Sequence, residues 1–123
     1  MNLNIKGVGT DIIEIKRIKE AIDRKGDDFI NKIFTKIEIE YSNRHKDPLP
    51  HLAARFAAKE AIVKAFGNGF GKLSFHDIEI LNNKKGKPLA NIKAEILKEF
   101  DISNIEISLS HSKEYAIAFA VAY

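Results

Sequence analysis

The sequence contains no cysteine. Without thiols the chain can form neither a disulfide framework nor a thiolate metal site, so any bound metal must have oxygen or imidazole ligands. The sequence also lacks the ~20-residue apolar run of a membrane-spanning helix, and residues 1–6 lack the apolar core of a signal peptide. These absences predict a cytoplasmic protein that does not insert into a membrane.

An excess of charge of one sign is also missing. The chain has 20 basic and 17 acidic residues, a net charge of +3, so its overall attraction to a polyanion is weak. Local basic clusters occur, but aromatic residues are not interleaved with them as in a surface that stacks on bases. A phosphate group or an acidic protein therefore fits these clusters better than nucleic acid. The clusters are Lys16, Arg17, Lys19 and Arg24, and Lys84, Lys85 and Lys87.

The hydrophobic periodicity predicts an α+β fold in which an antiparallel sheet packs on helices. A length of 123 residues, 45% of them hydrophobic, predicts one domain over residues 1–123. The predicted helices cover residues 12–25, 29–34, 51–66 and 93–100, with a further helix starting at the capping-box pattern of residues 35–38, where Glu38 is interpreted as a cap. The predicted strands cover residues 3–11, 75–81, 88–92, 105–109 and 115–123.

Small residues mark the places where elements approach closely. Gly7 and Gly9 lie in the first strand, which we expect to end at Asp11, and Gly67 is expected to end the alanine-rich helix. Two prolines place residues 47–50 in a loop. In the last strand, positions 116, 118, 120 and 122 are all alanine. One face of this strand must pack closely, and a homo-oligomer could bury it.

Two carboxylates are the first candidates for chemistry. Glu60 and Lys64 lie one turn apart on the alanine-rich helix, which allows a simple ion pair between them. Phe56 and Val63 are helical neighbours of Glu60, so its carboxylate rises from a partly apolar face where a metal ion would compensate the charge. Asp11 has no obvious local partner, although it could equally cap the following helix. Magnesium often takes one or two carboxylates and completes its octahedron with water and phosphate oxygens, so a phosphate-bearing substrate is implied.

Residues 108–112, SLSHS, offer hydroxyls and an imidazole where a strand meets a turn. His111 shares a strand face with Ile107 and Leu109 and could be a core histidine. Ser110 points to the opposite face, which makes nucleophilic catalysis less suitable than phosphate binding. The glycine-rich residues 67–71 follow a helix and therefore fail the dinucleotide and P-loop patterns, and Lys87 lies in what is usually a solvated hairpin turn.

Taken together, four segments resemble holo-acyl-carrier-protein synthase, the small bacterial type of 4′-phosphopantetheinyl transferase. They are residues 7–17, GVGTDIIEIKR; residues 55–67, RFAAKEAIVKAFG; residues 86–88, GKP; and residues 108–116, SLSHSKEYA. The resemblance covers nearly the whole chain, in order and spacing. It implies a homotrimer that binds coenzyme A between subunits, with magnesium held by Asp11 and Glu60. The coenzyme contacts that it implies are Lys64, Gly67, Lys87, Pro88, Ser110 and His111.

The implied reaction is attack of a carrier-protein serine on the β-phosphate of coenzyme A, which releases adenosine 3′,5′-bisphosphate and supports fatty acid biosynthesis. Asp11, Glu60 and Lys64 are the implied catalytic residues: Lys64 stabilises or protonates the leaving phosphate, and Glu60 removes the serine proton directly or through a metal-bound water. The helix face with Arg17 and Arg24 is expected to bind the acyl carrier protein.

Two rival functions use the same residues differently. A nucleic-acid-binding module would use the cluster of Lys16, Arg17, Lys19 and Arg24, and would bind with a steep dependence on salt. A metal-assisted phosphate-ester hydrolase would share Asp11 and Glu60 but use water as the nucleophile. Release of adenosine bisphosphate without a carrier protein distinguishes this hydrolase from the transferase.

Overall fold

The computed structural model describes residues 4–67 and 71–123, and it confirms the α+β class. Five strands and five helices follow one another within this part of the chain. The strands are β1 (Gly7–Glu14), β2 (Glu79–Asn82), β3 (Pro88–Asn91), β4 (Ile105–His111) and β5 (Tyr115–Ala122). The helices are α1 (Ile15–Lys25), α2 (Asp27–Ile33), α3 (Lys36–Asn43), α4 (Leu49–Phe66) and α5 (Ala94–Glu99), with a 3₁₀ turn at Phe75–Asp77.

The described strands form two antiparallel sheets. The larger has the order β1-β5-β4, and β2 pairs with β3 in a separate hairpin. Asp11 lies opposite Ala118 and Gly9 lies opposite Ala120. Because directly paired residues of an antiparallel sheet share a face, Asp11 and Gly9 face the same side as the alanines of β5.

Helix α4 packs on that face at backbone distance. A Cβ atom on Gly9 would overlap the carbonyl oxygen of Ala61 and lie 2.8 Å from the backbone nitrogen of Ala65, and one on Gly7 would overlap the carbonyl of Ala65. Glycine is therefore required at both positions by the close approach of β1 to the helix.

The alanine face of β5 is buried within the chain, so the suggestion that a second copy could bury it is wrong. Ala116, Ala118, Ala120 and Ala122 are 0–1% exposed, and three of them share a core cluster with residues of α4. The large residues of β5 face outward instead. Phe119 is 46% exposed, and Ile12 on the paired strand is 62% exposed.

Several predicted boundaries were wrong, and three of them affect the site or the core. Strand β1 continues to Glu14, so Asp11 lies inside the strand, and Glu14 rather than Asp11 occupies the N-cap position of α1. The isoleucines at positions 12 and 15 fit a helical period, but residues 12–14 continue the pairing with β5. Helix α4 begins at Leu49, since Pro50 in its first turn loses no hydrogen bond there. Residues 75–77 form a 3₁₀ turn where a strand was predicted, and Leu3 lies outside the described residues.

A buried ion pair joins α4 to the layer of helices behind it. The Lys59 ammonium lies 2.8 Å from Glu38 Oε1 and donates hydrogen bonds to the carbonyl oxygens of Ile33 (2.8 Å) and Phe75 (2.9 Å). Both side chains are 0% exposed. The capping box of Thr35 and Glu38 is confirmed, but the pairing of Glu38 with Lys59 was not predicted.

Candidate active site

The two predicted carboxylates line one pocket. Asp11 from β1 and Glu60 from α4 are among the residues around a cavity of about 470 Å³, together with Phe56, Arg17 and Tyr115. Strand β1 is an edge strand of its sheet, so the pocket opens beside it to solvent. We call this cavity the carboxylate pocket. In the sequence, Asp11 and Glu60 are separated by α1, α2, α3 and the first part of α4. In the structure they line the same pocket.

Lys64 binds Asp11 rather than Glu60. Its ammonium donates to Asp11 Oδ1 (3.1 Å) and to the carbonyl oxygen of Thr10 (2.9 Å). Within residues 4–67 and 71–123 no ion pair joins Lys64 to Glu60, so the simple helical pair considered from the sequence is wrong. The alternative in which Asp11 caps a helix is also wrong, because Asp11 lies inside a strand.

The ionised form of Glu60 is destabilised in this pocket. Burial raises the pKa of its carboxyl group, the negative charge of Asp11 raises it further, and only the ammonium of Lys64 opposes these effects. Glu60 therefore gains a proton more readily than an exposed glutamate does. A cation placed between the two carboxylates would remove this repulsion.

The carboxylate oxygens of Asp11 and Glu60 are ligands of the type that magnesium prefers. Among the described residues no group of three or more histidine, cysteine, aspartate or glutamate side chains could hold a metal ion. The carboxylate pocket offers two carboxylates, those of Asp11 and Glu60. Two oxygen ligands are sparse for calcium, whereas magnesium is often held by one or two carboxylates plus water and phosphate. The repulsion at Glu60 is the structural reason why a cation would bind here.

His111 lies outside the carboxylate pocket. It is exposed at the end of β4, so the alternative of a core histidine is wrong. Its ring centroid lies 5.6 Å from that of His51, which stacks on His45 at 3.6 Å. Burial first, and then the charges of His45, Arg55 and His111, lower the pKa of His51 to about 4. The sequence did not predict this histidine cluster, because His45 lies in the loop after α3, His51 in α4 and His111 in β4, and no sequence spacing connects them.

Of the other predicted coenzyme contacts, Lys64 is hydrogen-bonded to Asp11, and the remaining ones are not among the residues that line the carboxylate pocket. Gly67 ends α4 in the left-handed conformation (φ 82°), as predicted. Lys87 is exposed in the turn before β3, as expected, and it also forms an ion pair with Glu106 (3.1 Å). Pro88 begins β3, and Ser110 is exposed on the outer face of β4, opposite Ile117. Of the predicted glycine-rich turn at residues 67–71, residues 68–70 lie outside the described part of the chain.

The basic face of α1 borders the carboxylate pocket. A shallow groove of about 500 Å³ is lined by Glu14, Lys16, Arg17, Glu20 and Arg24. We call it the arginine groove. Arg17 also lines the carboxylate pocket, and its Nε lies 3.4 Å from Glu14 Oε1. The sequence thus correctly placed both arginines on one exposed helical face.

In the part of the chain that the structure describes, none of the helices combines the length and apolar character needed to cross a membrane.

Comparison with known proteins agrees with this geometry. The family model described as "4'-phosphopantetheinyl transferase superfamily" matches residues 7–120. The chain is 51% identical over 116 residues to the holo-[acyl-carrier-protein] synthase of Chlamydia felis, covering 94% of both chains. It is 43% identical over 120 residues to that of Halothermothrix orenii, covering 95% of this chain and 96% of the relative.

Solved structures give the same result. The holo-[acyl-carrier-protein] synthase of Neisseria meningitidis has a TM-score of 0.90 at 37% identity, with 98% of this chain and 99% of that chain covered. The Helicobacter pylori enzyme in complex with coenzyme A has a TM-score of 0.88 at 36% identity, with 94% and 99% covered. The resemblance found in the sequence is thus confirmed, and the chain belongs to the 4′-phosphopantetheinyl transferase superfamily, within its holo-[acyl-carrier-protein] synthase family.

Proposed function

We propose that this protein transfers the 4′-phosphopantetheine arm of coenzyme A to a serine of apo acyl carrier protein and releases adenosine 3′,5′-bisphosphate. The observation that carries the proposal is that Asp11 and Glu60 line one pocket and Lys64 donates to Asp11, in a chain of this family. Two carboxylates and an ammonium provide what phosphoryl transfer requires, which is charge stabilisation and one proton acceptor. The similar Helicobacter pylori structure contains coenzyme A.

Asp11 and Glu60 are the residues that would hold Mg²⁺. When bound, the ion supplies charge neutralisation for the pyrophosphate of coenzyme A. Phe56 also lines the pocket, and an apolar neighbour strengthens the interaction between a charged group and either carboxylate.

Glu60 and Lys64 carry the proton transfers in this proposal. The serine oxygen forms a bond to the β-phosphorus, and the bond from that phosphorus to the bridging oxygen breaks. Glu60 accepts the serine proton, directly or through water, and its raised pKa suits this role. Lys64, which already donates hydrogen bonds at the pocket edge, stabilises or protonates the leaving phosphate of adenosine 3′,5′-bisphosphate.

We further propose that a homotrimer completes the site. The predicted coenzyme contacts that lie away from the carboxylate pocket, His111 among them, could then serve the pocket of a neighbouring copy. The outer face of β1 and β5 supports this assembly, because an exposed apolar patch of this kind marks an interface. Its exposed residues are Val8, Ile12, Ile117 and Phe119. The cytoplasmic location, the single domain over residues 1–123 and the contribution to fatty acid biosynthesis stay predictions.

The test is a transfer assay. The protein is incubated with coenzyme A, magnesium and an apo acyl carrier protein, and the mass of the carrier is measured by mass spectrometry. We expect the added mass of one phosphopantetheine, and we expect chelation of the metal to prevent it. An unmodified carrier would contradict the transfer, and adenosine 3′,5′-bisphosphate released at the same rate without carrier would favour the hydrolase.

Glu60→Gln tests the site itself. The substitution removes the charge that would bind the cation and accept the proton, so we expect at least a 100-fold loss of kcat with an unchanged fold. Glu99→Gln, an exposed glutamate at the end of α5, is the matched control and should retain full activity. Full activity of Glu60→Gln at ordinary magnesium would show that this carboxylate is neither a ligand nor a base.

A further inference from the structure

A second pocket lies across a shared wall from the carboxylate pocket. It has a volume of about 480 Å³ and is lined by Glu14, Ile15, Lys16, Lys19, Leu49, Lys113, Glu114 and Tyr115. We call it the lysine pocket. Glu14 and Tyr115 line both pockets and are register partners in β1 and β5. Glu14 and Lys16 also line the arginine groove, so the three depressions form one continuous surface.

Within the described ranges of the chain, Lys113 is the cation of this pocket that makes no ion pair. The Lys16 ammonium lies 3.8 Å from Glu14, and that of Lys19 lies 2.9 Å from Asp23. Lys113 makes no ion pair or side-chain hydrogen bond with any residue in the ranges 4–67 and 71–123. Glu114 adds a carboxylate, so three lysines and two carboxylates surround the pocket. The balance is positive, and the charge of Lys113 is available to a partner.

The segment that carries Lys113 is held firmly. The Ser112 N–H donates to the Tyr115 carbonyl (2.8 Å), and the Tyr115 N–H donates to Ser112 Oγ (3.3 Å). The Ile15 N–H, at the first residue of α1, donates to the Glu114 carbonyl (2.8 Å). This tight turn therefore fixes Lys113 beside the basic helix, and a partner that binds there orders little additional chain.

We propose that the lysine pocket is a second contact for the acyl carrier protein. In this arrangement an acidic segment of the carrier binds Lys113, and an apolar side chain of the carrier packs on Leu49 and Tyr115. The inference rests on the proposed function. The serine of the carrier must reach the carboxylate pocket, and the carrier surface is expected to contact Arg17. A carrier in this position also covers Glu14 and Tyr115, which separate the carboxylate pocket from the lysine pocket. The positive charge on the far side favours an acidic protein segment there.

The test compares the kinetics of Lys113→Glu with those of Lys98→Glu, which makes the same charge change at an exposed position on α5. We expect Lys113→Glu to raise KM for the carrier protein about fivefold, roughly 1 kcal/mol for reversal of one exposed charge. The kcat at saturating carrier and the Kd for coenzyme A should not change. Lys113→Gln should give a smaller rise in KM, and Lys98→Glu should give none. Added salt should reduce the difference between Lys113→Glu and the wild type.

Each other outcome counts against the inference. An unchanged KM for the carrier in Lys113→Glu, with a raised KM in Arg17→Glu, would overturn the lysine pocket and leave the transferase intact. A weaker Kd for coenzyme A would assign the pocket to the coenzyme, and an altered oligomeric state in sedimentation would assign it to a second copy of this chain. Failure of the wild-type protein to modify any carrier is a separate result, which contradicts the proposed function itself.

Discussion

Replacing Lys59 by methionine should be among the most destabilising single substitutions in this protein. The ammonium of Lys59 uses all three of its protons, on Glu38 Oε1, the Ile33 carbonyl and the Phe75 carbonyl. Methionine fills a similar volume but donates nothing. The variant would therefore leave the carboxylate of Glu38 without its counter-ion at 0% exposure.

The expected loss follows from the cost of an uncompensated buried charge. Removing one partner of a buried ion pair typically costs about 3–5 kcal/mol. Glu38 keeps two backbone donors, the N–H groups of Thr35 and Ile80, which places the estimate at the lower end, about 3 kcal/mol. Against a total stability of about 5–15 kcal/mol for a typical domain, this loss is large.

The pair itself should contribute little net stability. Burial lowers the pKa of Lys59 despite the opposing charge of Glu38, so desolvation outweighs the attraction, as is common for buried pairs. We therefore expect the double variant Lys59→Met/Glu38→Gln to be more stable than the sum of the two single losses predicts.

The measurement is urea unfolding of the wild type, both single variants and the double variant at one protomer concentration, because assembly would otherwise shift the midpoints. Lys98→Met, at an exposed lysine on α5, is the control and should change the free energy of unfolding by less than about 0.5 kcal/mol. A loss below about 1 kcal/mol in Lys59→Met, or strict additivity in the double variant, would refute the reasoning.

Three further substitutions test the fold and the histidine cluster. Gly9→Ala should cost about 3 kcal/mol or more in urea unfolding, because its Cβ would overlap the backbone of α4. Gly71→Ala, with nothing within 4 Å, should cost little, and equal losses would contradict the close contact. Thr35→Ala should lose about 1 kcal/mol, since it removes the acceptor of a capping box; no loss would mean that the cap is unimportant. His51 has a folded pKa of about 4 against 6.5 unfolded, so the unfolded chain binds the extra proton between these values and stability falls as pH drops through them. His51→Gln should flatten that fall, and parallel pH profiles would contradict the lowered pKa.

Local signals in the sequence located much of the fold. Gly67 was expected to end a helix, and Gly26 directly follows the helix predicted over residues 12–25. Their φ angles are 82° and 60°, so both helices end in conformations that other residues avoid. The alternation in β5 correctly predicted that its alanines pack closely. The pairing of Glu38 with Lys59 could not be predicted in this way, because each residue has a sufficient local explanation: a cap for Glu38 and a helix former for Lys59.

The candidate site was predictable in composition but not in pairing. From the sequence, Asp11 and Glu60 were predicted to bind a cation together, and both line the carboxylate pocket. The partner of Lys64 depended on where β1 ends. Helical spacing favours Glu60, whereas the extension of β1 past residue 11 brings two oxygen acceptors, the Thr10 carbonyl and the Asp11 carboxylate, to the ammonium.

Stability and site geometry in this protein depend on the same helix. The absence of a side chain at Gly9 lets β1 lie against the backbone of α4, and this contact sets the separation of Asp11 from Glu60. Successive residues of a helix point about 100° apart, so the three interactions of Lys59 fix the rotation of α4 and with it the direction of Glu60. A substitution at Gly9 or Lys59 would therefore move the carboxylates relative to each other even if the chain still folded. The consecutive residues Lys59 and Glu60 of α4 thus place a buried anchor next to a half-buried carboxylate of the carboxylate pocket, and a substitution of the anchor also affects the direction of that carboxylate.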